Sequence, residues 1–270
     1  MLKTRVITAL ILAPLVVLAL LYLDPVPLGL VFGMVIVLAA WEWAGLLNAD
    51  PRLHRALRVL YPLLIAGAMA SAVMDAQPII VIAIGAAFWV WGASWLAFPD
   101  FGREINAYHT LLKVVVGVVV LVPAWVALMA LHSAPLIGPW LVLYAIAIAW
   151  VADTGAYFAG RRFGRVKLAP RISPGKTREG AYGAMVLVAV YGLIGGWAFG
   201  ERGGGLLMFA AVTTLAGVAS ILGDLLESLL KRHAGIKDSS ALIPGHGGVL
   251  DRIDSLTAAL PVFAFGVAFL

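Results

Sequence analysis

The chain has 270 residues, 63% of them hydrophobic and only 12% charged, with a mean hydropathy of +1.01. A soluble domain is roughly a quarter charged, so the composition excludes one and points to an all-α, polytopic integral membrane protein. The net charge of +5 raises nucleic acid as a partner, but the placement of the bases is better explained by membrane topology; the absence of cysteine excludes disulfides and thiolate metal sites.

Apolar runs of about 20 residues, each long enough to cross a bilayer, recur along the chain. Nine are counted, at 5–23, 26–47, 57–74, 78–98, 110–131, 136–158, 180–199, 205–227 and 251–270. The first follows Lys3 and Arg5 as a signal peptide would. It is long, lacks a small-x-small cleavage site and leads into further spans, which predicts a retained helix. Of the 19 Lys and Arg residues, 18 fall in the N-terminal segment and alternate loops: Lys3, Arg5, Arg52, Arg55, Arg58, Arg103, Lys113, Arg161, Arg162, Arg165, Lys167, Arg171, Lys176, Arg178, Lys231, Arg232, Lys237 and Arg252. The opposite side holds Arg202 alone. Positive loops stay cytoplasmic, so the N-terminus is expected in the cytoplasm and the C-terminus across the membrane. The chain reads as a single membrane domain, 1–270, in which 1–135 is scaffold and 136–270 carries the catalytic helices with two cytoplasmic loops, 159–179 and 228–250.

Ionisable groups inside a span are costly and mark function by default. Glu42, between Trp41 and Trp43, reads as an interfacial residue in an aromatic belt. Asp153, late in the sixth span, has two readings: a functional carboxylate, or a structural pair with Arg161 or Arg162. At the end of the eighth span Asp224, Glu227, Ser228 and Lys231 stand at i, i+3, i+4 and i+7, on one helix face. An ion pair of Glu227 with Lys231 accounts for two of them and leaves Asp224, a turn deeper among apolar residues. Asp251, Asp254 and Ser255 repeat the relation at the start of the ninth span, where acidic residues also serve as N-caps. Asp224 with Asp251 or Asp254, from neighbouring helix ends, can share a hard cation. Mg²⁺ binds carboxylate oxygens and leaves sites for water and substrate phosphates; zinc is disfavoured by absent Cys and sparse His.

Between these helix ends lies Pro244-Gly245-His246-Gly247-Gly248. Glycines let backbone N–H groups approach an anion, a following helix N-terminus adds a favourable dipole, and His246 is a candidate donor to a phosphate oxygen. The other rich loop holds Ser173-Pro174-Gly175-Lys176-Thr177. It is not the GxxxxGK[ST] phosphate loop, because Pro170 stands where the first Gly would be and Arg follows at 171, yet it offers Lys176, Thr177 and backbone groups to phosphate. Ser173 to Lys176 also precedes a span, where an N-cap would sit. Its seven bases exceed what topology alone needs, although a plain positive-inside loop is the alternative.

The run Ser228-x2-Lys231-Arg232-x4-Lys237-Asp238-x-Ser240-x2-Ile243-Pro244-x-His246-Gly247-Gly248-x2-Asp251-Arg252-x-Asp254 resembles the C-terminal pattern of the phosphatidate cytidylyltransferases (CDP-diglyceride synthases), without departure. The likeness extends to 172–180, to Asp153-Thr154-Gly155-Ala156-Tyr157, and to length and span count. It implies an Mg²⁺-dependent nucleotidyltransferase of phospholipid biosynthesis that converts CTP and phosphatidate to CDP-diacylglycerol and pyrophosphate. It further implies a bacterial inner membrane, a homodimer, metal binding by Asp224, Asp251 and Asp254, and phosphate contacts from Ser173, Lys176, Lys237 and Arg252. The expected catalytic set is Asp224, Asp251, Lys237, Arg252 and His246. The expected substrate-binding set is Ser173, Lys176, Thr177, Ser228, Lys231, Arg232, Gly247, Gly248 and Asp153. Whether a monovalent cation accompanies Mg²⁺ stays open at this point. The competing readings are another CTP-dependent lipid transferase or polyprenol-type kinase, and an ion-coupled transporter in which Asp153, Asp224 and Asp254 line a path.

Overall fold

The computed structural model describes residues 2–74 and 77–270, with backbone only at 2–7 and 9. The side chains of Lys3 and Arg5, counted above for topology, therefore lie outside the described residues. The described residues form nine helices: α1 (Leu2–Tyr22), α2 (Pro25–Gly45), α3 (Pro51–Met74), α4 (Pro78–Ala97), α5 (Ala107–His132), α6 (Gly138–Phe163), α7 (Arg178–Ala198), α8 (Gly203–His233) and α9 (Leu250–Val267). Each predicted span overlaps one of them. Seven, α2 to α8, are long and apolar enough to cross a membrane, and the chain is a multi-pass membrane protein. The ninth helix opens with Asp251, Arg252 and Asp254 and is correspondingly less apolar at its start.

Local chemistry sets the helix starts. Prolines occupy the first turns of α2, α4 and α6, where a missing N–H costs nothing. Asn106 caps α5 by accepting from the His109 N–H at 2.7 Å, and Thr177 caps α7 by accepting from the Gly180 N–H at 3.1 Å. Helix α6 packs on α7, α7 on α8 and α8 on α9, while α5 runs against α4, α9 and α2. Of the seven spanning helices α5 is the most enclosed, with 67% of its apolar window buried, and α3 the least, at 17%. The close approach of α6 to α7 depends on small residues, as membrane helix pairs commonly do. A Cβ on Gly155 would stand 2.8 Å from the Gly183 carbonyl oxygen, and one on Gly180 would stand 2.9 Å from that of Ala156.

Several expectations are corrected. Loop 159–179 is not irregular throughout: β1 (Lys167–Ala169) pairs antiparallel with β2 (Ser173–Thr177), with Lys167 opposite Thr177 and Ala169 opposite Ser173. Arg161 and Arg162 belong to the last turn of α6, and Lys231 and Arg232 to the last turn of α8, so the second loop begins after His233 rather than at 228. Lys113, counted as a loop base, lies inside α5 with no solvent exposure and, among the described residues, no hydrogen-bond partner for its Nζ. Glu42 is also fully buried, not an interfacial residue.

Candidate active site

The 31 residues of α8 make a helix of about 46 Å at 1.5 Å per residue, longer than a hydrocarbon core of about 30 Å. Its last turns carry the predicted polar face. Ser228 donates to Asp224 Oδ1 at 3.2 Å. The Lys231 ammonium lies 2.5 Å from Glu227 Oε2, as the i, i+4 spacing suggested, and also 2.5 Å from Asp251 Oδ1 on α9. Lys231 thus joins the two helices rather than one turn of a single helix.

Asp251 is 8% exposed, and the protein satisfies both of its oxygens. Oδ1 takes Lys231; Oδ2 accepts the Ser239 N–H at 2.9 Å, the Ser239 hydroxyl at 2.9 Å and the Gly248 N–H at 2.8 Å. Gly247 adopts a φ of +84°, and its backbone bridges to Ile243, which closes the Pro244-Gly245-His246 turn. Val249, the residue at the helix N-cap, has no side-chain acceptor of its own.

The hairpin β1–β2 is held from three sides. The Glu179 carboxylate accepts the N–H groups of Arg165 at 3.1 Å and Val166 at 3.2 Å. Arg232 donates to the Ile172 carbonyl at 3.3 Å and to Ile236 at 3.4 Å, which ties the two loops together. Arg171 pairs with Asp100 at 2.5 Å, and that hydrogen bond holds the Asp100 carboxyl below the ordinary carboxylate range. So anchored, β2 presents Lys176 to α8, where its ammonium lies 2.5 Å from Asp224 Oδ2. Beside this pair a cleft of about 390 Å³ opens between α6, α7 and the hairpin, lined by Asp153, Tyr157, Arg161, Gly175, Lys176 and Thr177 among others. Asp153 shares this cleft with Lys176. Among the described residues it forms no ion pair with Arg161 or Arg162; Arg161 instead donates to the Tyr157 hydroxyl at 2.9 Å.

The structure therefore brings Asp153, Lys176 and Thr177 to one cleft and joins Asp224 and Ser228 to it through Lys176, while Lys231, Gly247, Gly248 and Asp251 cluster where α8 meets α9 and Arg252 is exposed beside them. Ser173 lies at the far end of β2, opposite Ala169. Lys237 is exposed, and His246 is half-buried with its Nδ1 lacking a partner. Two acidic residues were missed as part of the site: Glu227, which shares Lys231 with Asp251, and Glu42 on α2.

No group of three or more acidic or imidazole side chains stands ready to hold a metal ion among the described residues. Carboxylates in pairs remain, and Mg²⁺ is commonly held by one or two carboxylates with substrate phosphates and water completing its shell. Asp224 follows Gly223, where α8 meets α9 so closely that a Cβ would stand 2.4 Å from the Asp254 carbonyl oxygen. Asp254 Oδ1 accepts the Ser255 N–H at 2.7 Å, and among the described residues Asp224 accepts from Lys176 and Ser228 alone. A cation reaching Asp251 would have to displace Lys231. This all-oxygen donor set fits Mg²⁺.

Comparison with known proteins identifies relatives of the chain. The model of the cytidylyltransferase family matches residues 3–270. The chain is similar to a phosphatidate cytidylyltransferase of Pseudomonas aeruginosa, 39% identical over 98% of this chain and 96% of that protein. It is similar to another of Haemophilus influenzae, 36% identical over 98% of each. A third, from Staphylococcus haemolyticus, is 42% identical over 45% of this chain and 46% of its own length. With a match running almost end to end, the chain belongs to the cytidylyltransferase family.

Proposed function

We propose that the chain transfers CMP from CTP to phosphatidate at the cytoplasmic face of a bacterial inner membrane, giving CDP-diacylglycerol and pyrophosphate. The observation that carries this reading is the Lys176–Asp224 pair at the mouth of the cleft, where the hairpin loop meets the end of α8. An acid and a base from different elements stand together there, as a site for a cation and phosphates requires.

The lipid phosphate monoester is itself the nucleophile. One of its oxygens bonds to the α-phosphorus of CTP, the bond from that phosphorus to the bridging oxygen breaks, and pyrophosphate leaves. No serine, cysteine or strong base is needed; the obstacle is repulsion between two anions. Lys176 exchanges Asp224 for a phosphate oxygen, and the exposed Arg252 and Lys237 supply further positive charge. When bound, Mg²⁺ offsets the negative charge that the phosphates bring together. Asp224 and Asp254 are the carboxylates to hold it, with Asp251 joining if Lys231 yields. The cleft opens beside α6 and α7, so the acyl chains stay in lipid. A homodimer fits the family resemblance.

The test uses purified protein, phosphatidate and Mg²⁺ with CTP labelled at either end. Label from the α-phosphate should enter the organic phase, label from the γ-phosphate should stay in water, and a chelator should stop the transfer until Mg²⁺ is restored. Asp251→Asn should abolish transfer while the protein stays folded in detergent. Entry of γ-label into lipid would mean a kinase and would overturn the reading.

A further inference from the structure

Glu42 belongs to α2, in the half of the chain that the sequence marks as scaffold. Its carboxylate is fully buried and accepts four hydrogen bonds, all from the 239–250 segment, which ends at the first residue of α9. Oε1 takes the Ser240 hydroxyl at 2.6 Å and the Val249 N–H at 2.9 Å; Oε2 takes the Ser239 hydroxyl at 3.0 Å and the Leu250 N–H at 2.6 Å. Two donors come from the start of the segment and two from its end. A single carboxylate therefore pins both stems of the turn that carries His246, Gly247 and Gly248.

It also supplies what α9 lacks. The first N–H groups of a helix have no intrahelical acceptor, and Val249 has no side chain able to cap them. Glu42 accepts from Val249 and Leu250, and its negative charge lies at the positive end of the helix dipole. The approach is so close that a Cβ on Gly248 would stand 2.6 Å from both Glu42 oxygens. Glu42 is fixed in turn: its neighbour Trp43 is buried and donates to the Lys113 carbonyl at 3.0 Å. Three residues past the end of α2, Asn48 donates to the His233 carbonyl at 3.2 Å, where α8 ends.

We infer that Glu42 is a positioning residue for nucleotidyl transfer: it sets the stems of the 239–250 segment, and through them Asp251, the glycine turn and the N-terminus of α9. The inference rests on the functional reading above for what is positioned; the clamp itself is independent of it. Glu42 touches no reacting atom in this account. Its removal should loosen the loop and slow turnover without releasing the rest of the fold.

The absence of native cysteine makes this measurable, with Leu242→Cys reporting the loop and Val166→Cys the base of the hairpin, both about half exposed. Glu42→Gln keeps the size but replaces one acceptor by a donor. It should raise maleimide labelling at Leu242→Cys roughly fivefold or more, as local opening would, and leave Val166→Cys unchanged. Its kcat should fall about 10- to 100-fold, the range for outer-shell partners, with a smaller change in the KM for CTP, and Glu42→Asp should recover part of both effects. A wild-type kcat in Glu42→Gln overturns the inference, and so does a fallen kcat with unchanged labelling at Leu242→Cys. If Glu42→Gln is not recovered folded, Ser240→Cys carries the test in place of Ser240→Ala, which would also remove the bond its hydroxyl accepts from the Leu242 N–H at 3.1 Å: with Glu42 intact the new thiol must label more slowly than Leu242→Cys, and equal labelling sinks the clamp. If the wild-type protein makes no CDP-lipid at all, the functional reading fails, while the labelling comparison still decides the clamp.

Discussion

Lys231 and Lys176 each bridge α8 to another element, yet they differ in surroundings. Lys231 is 11% exposed at its side chain, between Glu227 at 3% and Asp251 at 4%. Removing it leaves two carboxylates in a dry pocket, and breaking a buried pair from one side costs about 3–5 kcal/mol. Lys176 and Asp224 are each 27% exposed, and water screens them. Lys231→Met should therefore lower unfolding stability in detergent by about 3–5 kcal/mol, and Lys176→Met by about 1 kcal/mol or less. Steady-state kinetics should show the reverse order for CTP, with Lys176→Met raising KM most. Equal stability losses in the two variants would remove the distinction. The polar face of α8 was legible because helical spacing alone aligns Asp224, Glu227, Ser228 and Lys231. Glu42 was not, because its donors lie 197 to 208 residues away and a carboxylate between two tryptophans looks the same at an interface as in a core.

The helices were legible as elements because apolar runs, proline starts and caps are written locally. The hairpin was not. Its segment, Lys167 to Thr177, carries three cationic side chains and two prolines, the composition of a loop, and proline is disfavoured within strands. Tertiary anchors make it a ladder: Ile172 is buried at 2% exposure, and Glu179 holds the backbone that leads into β1. Thr177 ends β2 and caps α7, so one residue serves two elements. Thr177→Ala should cost about 1 kcal/mol of stability, the usual value of a lost cap. It should also raise the KM for CTP, because Lys176 is the preceding residue. Thermal unfolding alongside a CTP titration checks both, and an unchanged KM would separate the cap from the site.

For the molecule as a whole, the distribution of bases makes a claim about sidedness. The hairpin and the loop that follows α8 meet at one end of that helix, as their ties through Arg232 require, and Arg202 lies at the other end. Positive segments stay cytoplasmic. In intact cells a membrane-impermeant maleimide should label Arg202→Cys and miss Val166→Cys and Leu242→Cys until the membrane is opened. The opposite pattern would invert the topology.

The tie between Glu42 and Leu250 also has a bearing on how the protein is born. The ribosome makes Glu42 208 residues before the last of its donors, which at about 5–20 residues per second is an interval of roughly 10–40 s. Throughout that time α2 enters the bilayer carrying an acid with nothing to receive. A nascent chain cut short before Ser239 keeps that acid orphaned for good, a defect inside the membrane that quality-control proteases can read as an unfinished product.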